Sequence, residues 1–148
     1  MSTSKEIDYV LGTHDAEIGR LHLQHGVWRA LVHDCWKRAG IGIGQRIIDI
    51  GCGPGFASVD LAEVVGDKGE VLGIERSERF IAHAEALCAS RGLKNVSFQH
   101  ADVMLDVFAV QGADAIWCRW LAIFVSDPGL LVRKMAAAVK PGGRLVFH

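Results

Sequence analysis

The sequence predicts an α/β domain, a mostly parallel sheet doubly wound by helices. Three observations carry that expectation. From Arg46 onward, short apolar runs of strand length alternate with stretches whose apolar residues return at helical spacing. The first run, Arg46–Ile50, leads directly into glycines at alternate positions, Gly51, Gly53 and Gly55. The 148 residues are 50% apolar and 22% charged, ordinary usage for a globular domain with its own core. Strands that alternate with helices are joined by crossovers, and crossovers leave neighbouring strands parallel.

The elements follow in chain order. Residues 1–14 read as an arm, and residues 1–45 together as an amino-terminal helical arm or lid on a core of residues 46–148 in a single domain. Asp15 is placed as an N-cap, followed by Ile18, Leu21, Trp28, Leu31, Val32, Cys35 and Trp36 at helical spacing as far as Ala39. Gly26 is equally consistent with one helix or two, since an internal glycine costs only ~1 kcal/mol. Gly40–Gly44 form a loop into the first strand, and a helix follows from Phe56 to Val65. The second strand, Val71–Ile74, ends at Glu75. Ser77 then caps a helix with Phe80, Ile81, Ala84, Leu87 and Cys88 on one face, closed by Gly92. The third strand is Val96–His100, and residues 103–112 are irregular. The fourth is Ala115–Cys118. Asp127 and Pro128 open a helix to about Val139, and Pro141-Gly142-Gly143 turns into a fifth strand, Arg144–His148. The chain stops inside that strand. An apolar edge left there invites pairing, so the expectation is a fragment of a longer fold or a second copy covering the edge.

Composition narrows the function classes. A formal charge of −1 with no basic run gives no reason to expect a nucleic-acid partner or an anionic membrane surface. The amino terminus lacks the apolar segment of a signal peptide. The apolar stretch 109–125 is broken by Gln111, Asp114 and Arg119, too often for a membrane span. Cys35, Cys52, Cys88 and Cys118 show no paired spacing and read as reduced thiols of a cytoplasmic protein. His22 and His25 lie three apart on a helix but have no third ligand nearby, so no metal is expected.

The glycine loop carries the chemistry. Glycine lets a ligand touch backbone directly, and the carboxyl ends of parallel strands are where open α/β sheets bind ligands. The phosphate-loop string GxxxxGK[ST] is absent. A dinucleotide fingerprint begun at Gly51 would need glycine where Phe56 stands, which disfavours a nicotinamide-dependent oxidoreductase. Here the third glycine comes one residue early, and Asp49 sits in the strand before the loop. Glu75, about 20 residues further on at the next strand end, is placed to accept hydrogen bonds from ribose hydroxyls.

Asp49-x-Gly51-x-Gly53-x-Gly55 resembles motif I of the class I S-adenosylmethionine-dependent methyltransferases. Glu75, Asp102, the strand-4 region Asp114–Trp120 continuing to Val125–Pro128, and Lys140-Pro141-Gly142-Gly143 also look like that family, so the similarity covers residues 46–148. It implies a Rossmann-like sheet of order 3-2-1-4-5; the family's sheet normally has seven strands, two of which are absent here. It implies S-adenosylmethionine as cofactor and a small-molecule methyl acceptor as partner.

The resemblance also implies roles for individual residues. Gly51, Cys52 and Gly53 would admit the methionine part to the backbone, with Asp49 steadying the loop or reaching the cofactor's amino group through water. Glu75 would hold the ribose and Arg76 pack beside the adenine. Asp102 and the backbone of Val103 would read the adenine edge. The backbone of Cys118 would lie beneath the amino-acid end.

Many small-molecule members carry a histidine base after strand 4. The matching positions here are Ile123 and Phe124, which leaves Tyr9, His14 and His25 of the arm as candidates. Tyr9–Thr13 resembles the arm that serves some members as a lid. Trp117, Trp120 and Phe124 are equally consistent with a substrate pocket and with core. Cys52 and Cys118 read as small packing residues rather than nucleophiles. A cofactor-binding domain that is catalytically incomplete stands as the alternative from a different functional class.

Overall fold

The computed structural model describes residues 11–148. The elements are α1 (Asp15–Arg38), β1 (Arg46–Ile50), α2 (Phe56–Val65), β2 (Glu70–Glu75), α3 (Glu78–Ser90), β3 (Val96–His100), β4 (Ala113–Cys118), α4 (Pro128–Ala138) and β5 (Val139–Phe147). All strand pairs are parallel, in the order β3-β2-β1-β4-β5. Order and hand of pairing are those the sequence predicts.

Alternate residues of the strands bury into opposite layers, as a pleated strand requires. Ile48, Ile50, Leu72, Ile74, Ile116 and Cys118 pack with Leu131 and Met135 of α4. Ile47, Val71, Ala115 and Trp117 pack on the other face with Leu61 and Val65 of α2 and with Val32 and Trp36 of α1. Cover on both faces explains why β1 reads as a nearly unbroken apolar run. Asp49 is the exception.

The structure decides the open question at Gly26, and two boundaries differ from expectation. Helix α1 runs unbroken through Gly26, because Val32 and Trp36 beyond it and His25 before it are all buried on one face. Its N-cap is His14, which makes no capping bond; Asp15 is the first helical residue and pairs with Arg79 at 2.6 Å. The segment Lys140–Gly143, expected as a turn before the strand, is an irregularity inside β5. Ala113 pairs with Val139 and Ala115 with Arg144, so the extra residues bulge out, Gly142 taking φ 80°. Tyr9, with the rest of residues 1–10 of the proposed lid arm, lies outside the described residues.

The second and third glycines of the loop do different work. Gly55, at φ 91°, is the N-cap of α2, where a Cβ would lie 2.5 Å from the Cβ and 2.9 Å from the Cα of Ala84 in α3. The bare glycine lets α2 and α3 close on each other. Gly55→Ala is expected to cost about 1–3 kcal/mol from overpacking alone, read as a lowered thermal midpoint by circular dichroism. A midpoint within a degree of wild type would disprove the close approach.

Candidate functional site

A cavity of about 670 Å³ opens over the carboxyl ends of β1, β2 and β4 and the loop after β3. That volume is within the usual range for a small-molecule or cofactor site. Asp49, Gly51, Cys52, Gly53, Glu75, Arg76, Asp102 and Val103, drawn from three separate strand ends, all line it. Cys118 does not. It is buried at the end of β4, and its carbonyl accepts the backbone N–H of His148 at 2.9 Å, so the neighbouring chain takes up that oxygen.

The loop's geometry follows from its glycines. Gly51 (φ 64°) and Gly53 (φ 56°) both occupy the left-handed region that favours glycine. A Cβ on Gly51 would strike Leu121 at 2.9 Å, whereas one on Gly53 would meet nothing within 4 Å. Gly53 thus presents bare backbone to open space, the cradle that close approach of a ligand needs.

Glu75 holds that cradle in place. Its Oε2 accepts the N–H of Gly53 at 2.9 Å, tying the β1 loop to the end of β2. Its Oε1 accepts the N–H groups of Arg76 (2.8 Å) and Ser77 (3.0 Å). An ionised carboxylate offers about four lone-pair sites, so about one remains, on Oε2. Burial raises the Glu75 carboxyl above its ordinary pKa, and the three backbone donors oppose that rise.

Asp49, 2% exposed, accepts the hydroxyl of Ser58 at 2.6 Å, which pins β1 to α2. Burial pushes its carboxyl up to about 6, against the pull of Ser58 and of the Arg119 charge. Burial likewise raises the Cys52 thiol and takes that of Cys118 to about 11, so both stay protonated, as packing residues do. Asp102 orders its own loop: its Oδ1 accepts from the N–H of Met104 (2.8 Å), and its N–H donates to Asp106 (2.7 Å). Arg76 is exposed at the rim, its carbonyl accepting from His100 Nε2 at 2.8 Å.

Trp117, Trp120, Ile123 and Phe124 all line the cavity, with Trp117 fully buried and Phe124 partly open. Trp117 is both core and wall. Trp120 is a non-glycine residue at φ 53°, and its N–H donates to the carbonyl of His148 at 2.8 Å. Such a conformation in a bulky residue is uncommon and needs support from its surroundings.

Sequence reading missed the charged cluster beside the cavity. Asp60, on α2 and 5% exposed, accepts from His25 Nε2 (3.0 Å), Arg29 Nε (2.8 Å) and His33 Nε2 (3.0 Å). Burial alone would raise its carboxyl; the donors from His25, Arg29 and His33 outweigh that and hold it well below the usual carboxylate range. The signal was available. His25, Arg29 and His33 recur every four residues, which stacks them on one face of α1. Arg119, at the end of β4, donates from Nη1 to His25 Nδ1 at 3.1 Å and lies 5.0 Å from the ring centre of Trp120. It is one of the cavity's lining residues.

His25, a candidate base in the sequence, therefore has both ring nitrogens engaged. His22 stacks on Phe56 with ring centres 4.9 Å apart.

Comparison with known proteins fits this geometry. The family model described as "Methyltransferase domain" matches residues 42–148. Demethylmenaquinone methyltransferase of Lactococcus lactis subsp. lactis is 32% identical over 123 residues, which cover 83% of this chain and 48% of that protein. The chain thus spans about half the length of the curated relatives it matches. Among solved structures, a SAM-dependent methyltransferase from Aquifex aeolicus superposes with a TM-score of 0.71 at 25% identity, covering 78% of this chain and 61% of that one. Coclaurine N-methyltransferase, solved with N-methylheliamine and SAH, gives 0.72 at 27% identity, covering 80% and 34%. With the glycine loop, the acidic strand ends and the 3-2-1-4-5 sheet in place, the chain belongs to the methyltransferase domain family.

Proposed function

We propose that this chain binds S-adenosylmethionine in the cavity over β1, β2 and β4 and directs its methyl group to a small-molecule acceptor. The observation that carries the reading is the bond from the N–H of Gly53 to Glu75. It fixes two features expected from the sequence, glycine cradle and acidic strand end, as one wall of one cavity. The residues present fit the cofactor. Bare backbone at Gly53 admits a ligand, the spare acceptor site of Glu75 suits a ribose hydroxyl, and buried Asp49 suits an ammonium group.

When bound, the cofactor would supply an electrophilic methyl group on a sulfonium, the acceptor–carbon bond forming in line as the carbon–sulfur bond breaks and the thioether leaves. The protein's part is positioning and exclusion of water. Gly51 and Gly53 set the depth of the ligand, Glu75 its nucleoside end, and Asp102 with the backbone of Val103 the edge of its base. Arg76 lies at the rim beside that base. Trp120, Ile123 and Phe124 form the apolar wall against which an acceptor would rest. Residues 1–45 act as a lid in this reading, supported by Leu11, Leu21 and Gln24, which line the cavity from the arm and α1. A small molecule rather than nucleic acid suits a cavity of about 670 Å³ on a chain of charge −1. Four free thiols support a cytoplasmic setting, and among the described residues no helix is long and apolar enough to cross a membrane.

Titration calorimetry with S-adenosylmethionine, S-adenosylhomocysteine and NAD tests the reading. Both sulfur nucleosides should bind and NAD should not. Saturation at 100 times Kd with S-adenosylhomocysteine should also raise the stability by about 2.7 kcal/mol in a thermal melt. Binding of NAD alone would return the loop to dinucleotide chemistry. Binding of the sulfur compounds without methyl transfer to any acceptor in a panel of small aromatic and amine substrates would favour a cofactor-binding domain that is catalytically incomplete.

A further inference from the structure

The charged cluster has no part in the roles assigned so far, yet it ends inside the cavity. Its order is fixed by chemistry. Asp60 can only accept from His25 Nε2, and Arg119 can only donate to Nδ1, so the two contacts together place the ring hydrogen on Nε2 and the lone pair on Nδ1. That lone pair accepts a hydrogen from Arg119 Nη1 at 3.1 Å. The chain of contacts therefore runs from α2 through α1 to the guanidinium, and each link determines the orientation of the next. The ring of Trp120 lies against the same guanidinium. One of the five N–H donors of Arg119 is used by His25, and among the described residues no other hydrogen bond to it forms.

What a guanidinium so held can recognise is a carboxylate, which it matches as a fork. The strand order says which carboxylate. Glu75 and Asp102 stand at the ends of β2 and β3, on one side of β1, and Arg119 stands at the end of β4, on the other. From β3 to β4 is three strand spacings, about 14 Å. A ligand with its nucleoside end at Glu75 and Asp102 lays its other end across β1 toward β4. There Asp49 and Arg119 offer one buried negative and one positive group, the complement of an amino acid's ammonium and carboxylate.

Resting on the methyltransferase reading above, we infer that Arg119 anchors the carboxylate of the cofactor's amino-acid end. Asp60 and His25 are its positioning residues, reaching it from α2 and α1.

The test compares two ligands that differ in that end alone. S-adenosylhomocysteine carries the amino acid, whereas 5′-methylthioadenosine keeps the nucleoside and sulfur and lacks it. Calorimetry on the full chain is expected to show that Arg119→Met weakens S-adenosylhomocysteine about 10- to 100-fold, the loss of a charge-assisted bond. Affinity for 5′-methylthioadenosine should stay within twofold. His25→Gln keeps a donor near Asp60 and withdraws the acceptor from Arg119. It should show the same selectivity at a smaller size, and adding it to Arg119→Met should produce little further loss. His25→Asn, which retains an acceptor near the Nδ1 position, should restore most of the affinity.

Equal losses for both ligands would mean that Arg119 merely supports the fold. An unchanged affinity for S-adenosylhomocysteine would hand Arg119 to the acceptor instead. Either result overturns the assignment. Failure of the wild-type chain to bind either nucleoside would overturn the methyltransferase reading itself, and the two kinds of failure are thereby kept apart.

Discussion

Replacing Glu75 by alanine is expected to lower the affinity for S-adenosylhomocysteine by about 100-fold, in calorimetry on wild type and variant. The magnitude has two sources. The spare acceptor site on Oε2 is lost, and a hydrogen bond to a charged acceptor contributes about 1.5–3 kcal/mol. The N–H of Gly53 also loses its partner, so the cradle no longer has a fixed shape before the ligand arrives. Glu75→Gln should recover little. Three backbone N–H groups converge on the carboxylate, one on Oε2 and two on Oε1, and an amide must turn its NH₂ toward at least one of them. A loss below threefold in Glu75→Ala would remove this residue from the ligand site.

Asp60→Ala is expected to cost about 1–3 kcal/mol of folding stability, because it removes the acceptor shared by His25, Arg29 and His33 and leaves the buried His25 Nε2–H without a partner. Arg29 is half exposed and can turn to water, whereas His25 is buried and cannot. Urea unfolding checks the size of the effect. The pH dependence checks its cause. A carboxyl held below its ordinary pKa stabilises fully above the unfolded value of about 4 and loses that contribution as pH falls through the folded value. Wild type should therefore lose stability below pH ~4 more steeply than Asp60→Ala does. Parallel curves would show that the cluster's charge contributes nothing.

Much of the fold was legible because local and long-range signals agree. Strand β1 and helix α2 have the bounds the sequence predicts, since a glycine loop ends one and starts the other. Ser77 and Asp127 cap α3 and α4 as expected, accepting from Phe80 and Leu130. What failed was what depends on partners far along the chain. The Lys140–Gly143 segment has the composition of a turn, and only the pairing of Val139 with Ala113 makes it part of a strand. Asp15 has the chemistry of a cap, but Arg79 draws its side chain away.

The same division holds at the site. Residues of the glycine loop and the acidic strand ends follow a compact pattern, and eight of the nine named ones line one cavity. Cys118 does not, because its carbonyl accepts the N–H of His148 from the chain just beyond β5. In the sequence Arg119 reads as a charge interrupting an apolar run, inside the stretch that resembles the family's strand-4 region. Its part depends on His25 and Asp60, residues 94 and 59 positions away, whose convergence no local pattern records.

The unbroken helix α1 acquires a second meaning from that convergence. It meets the core through Val32 and Trp36, and it meets the cavity through His25 and Arg119. Whatever steadies Arg119 from inside the cavity holds the helix from outside it. Thermodynamic linkage makes the effect reciprocal: if a docked α1 favours the ligand, then the ligand favours a docked α1 by the same factor. Protection of the α1 amides against hydrogen exchange and occupancy of the cavity are then two readings of one coupling free energy, and the helix reports on a site whose floor lies across the sheet.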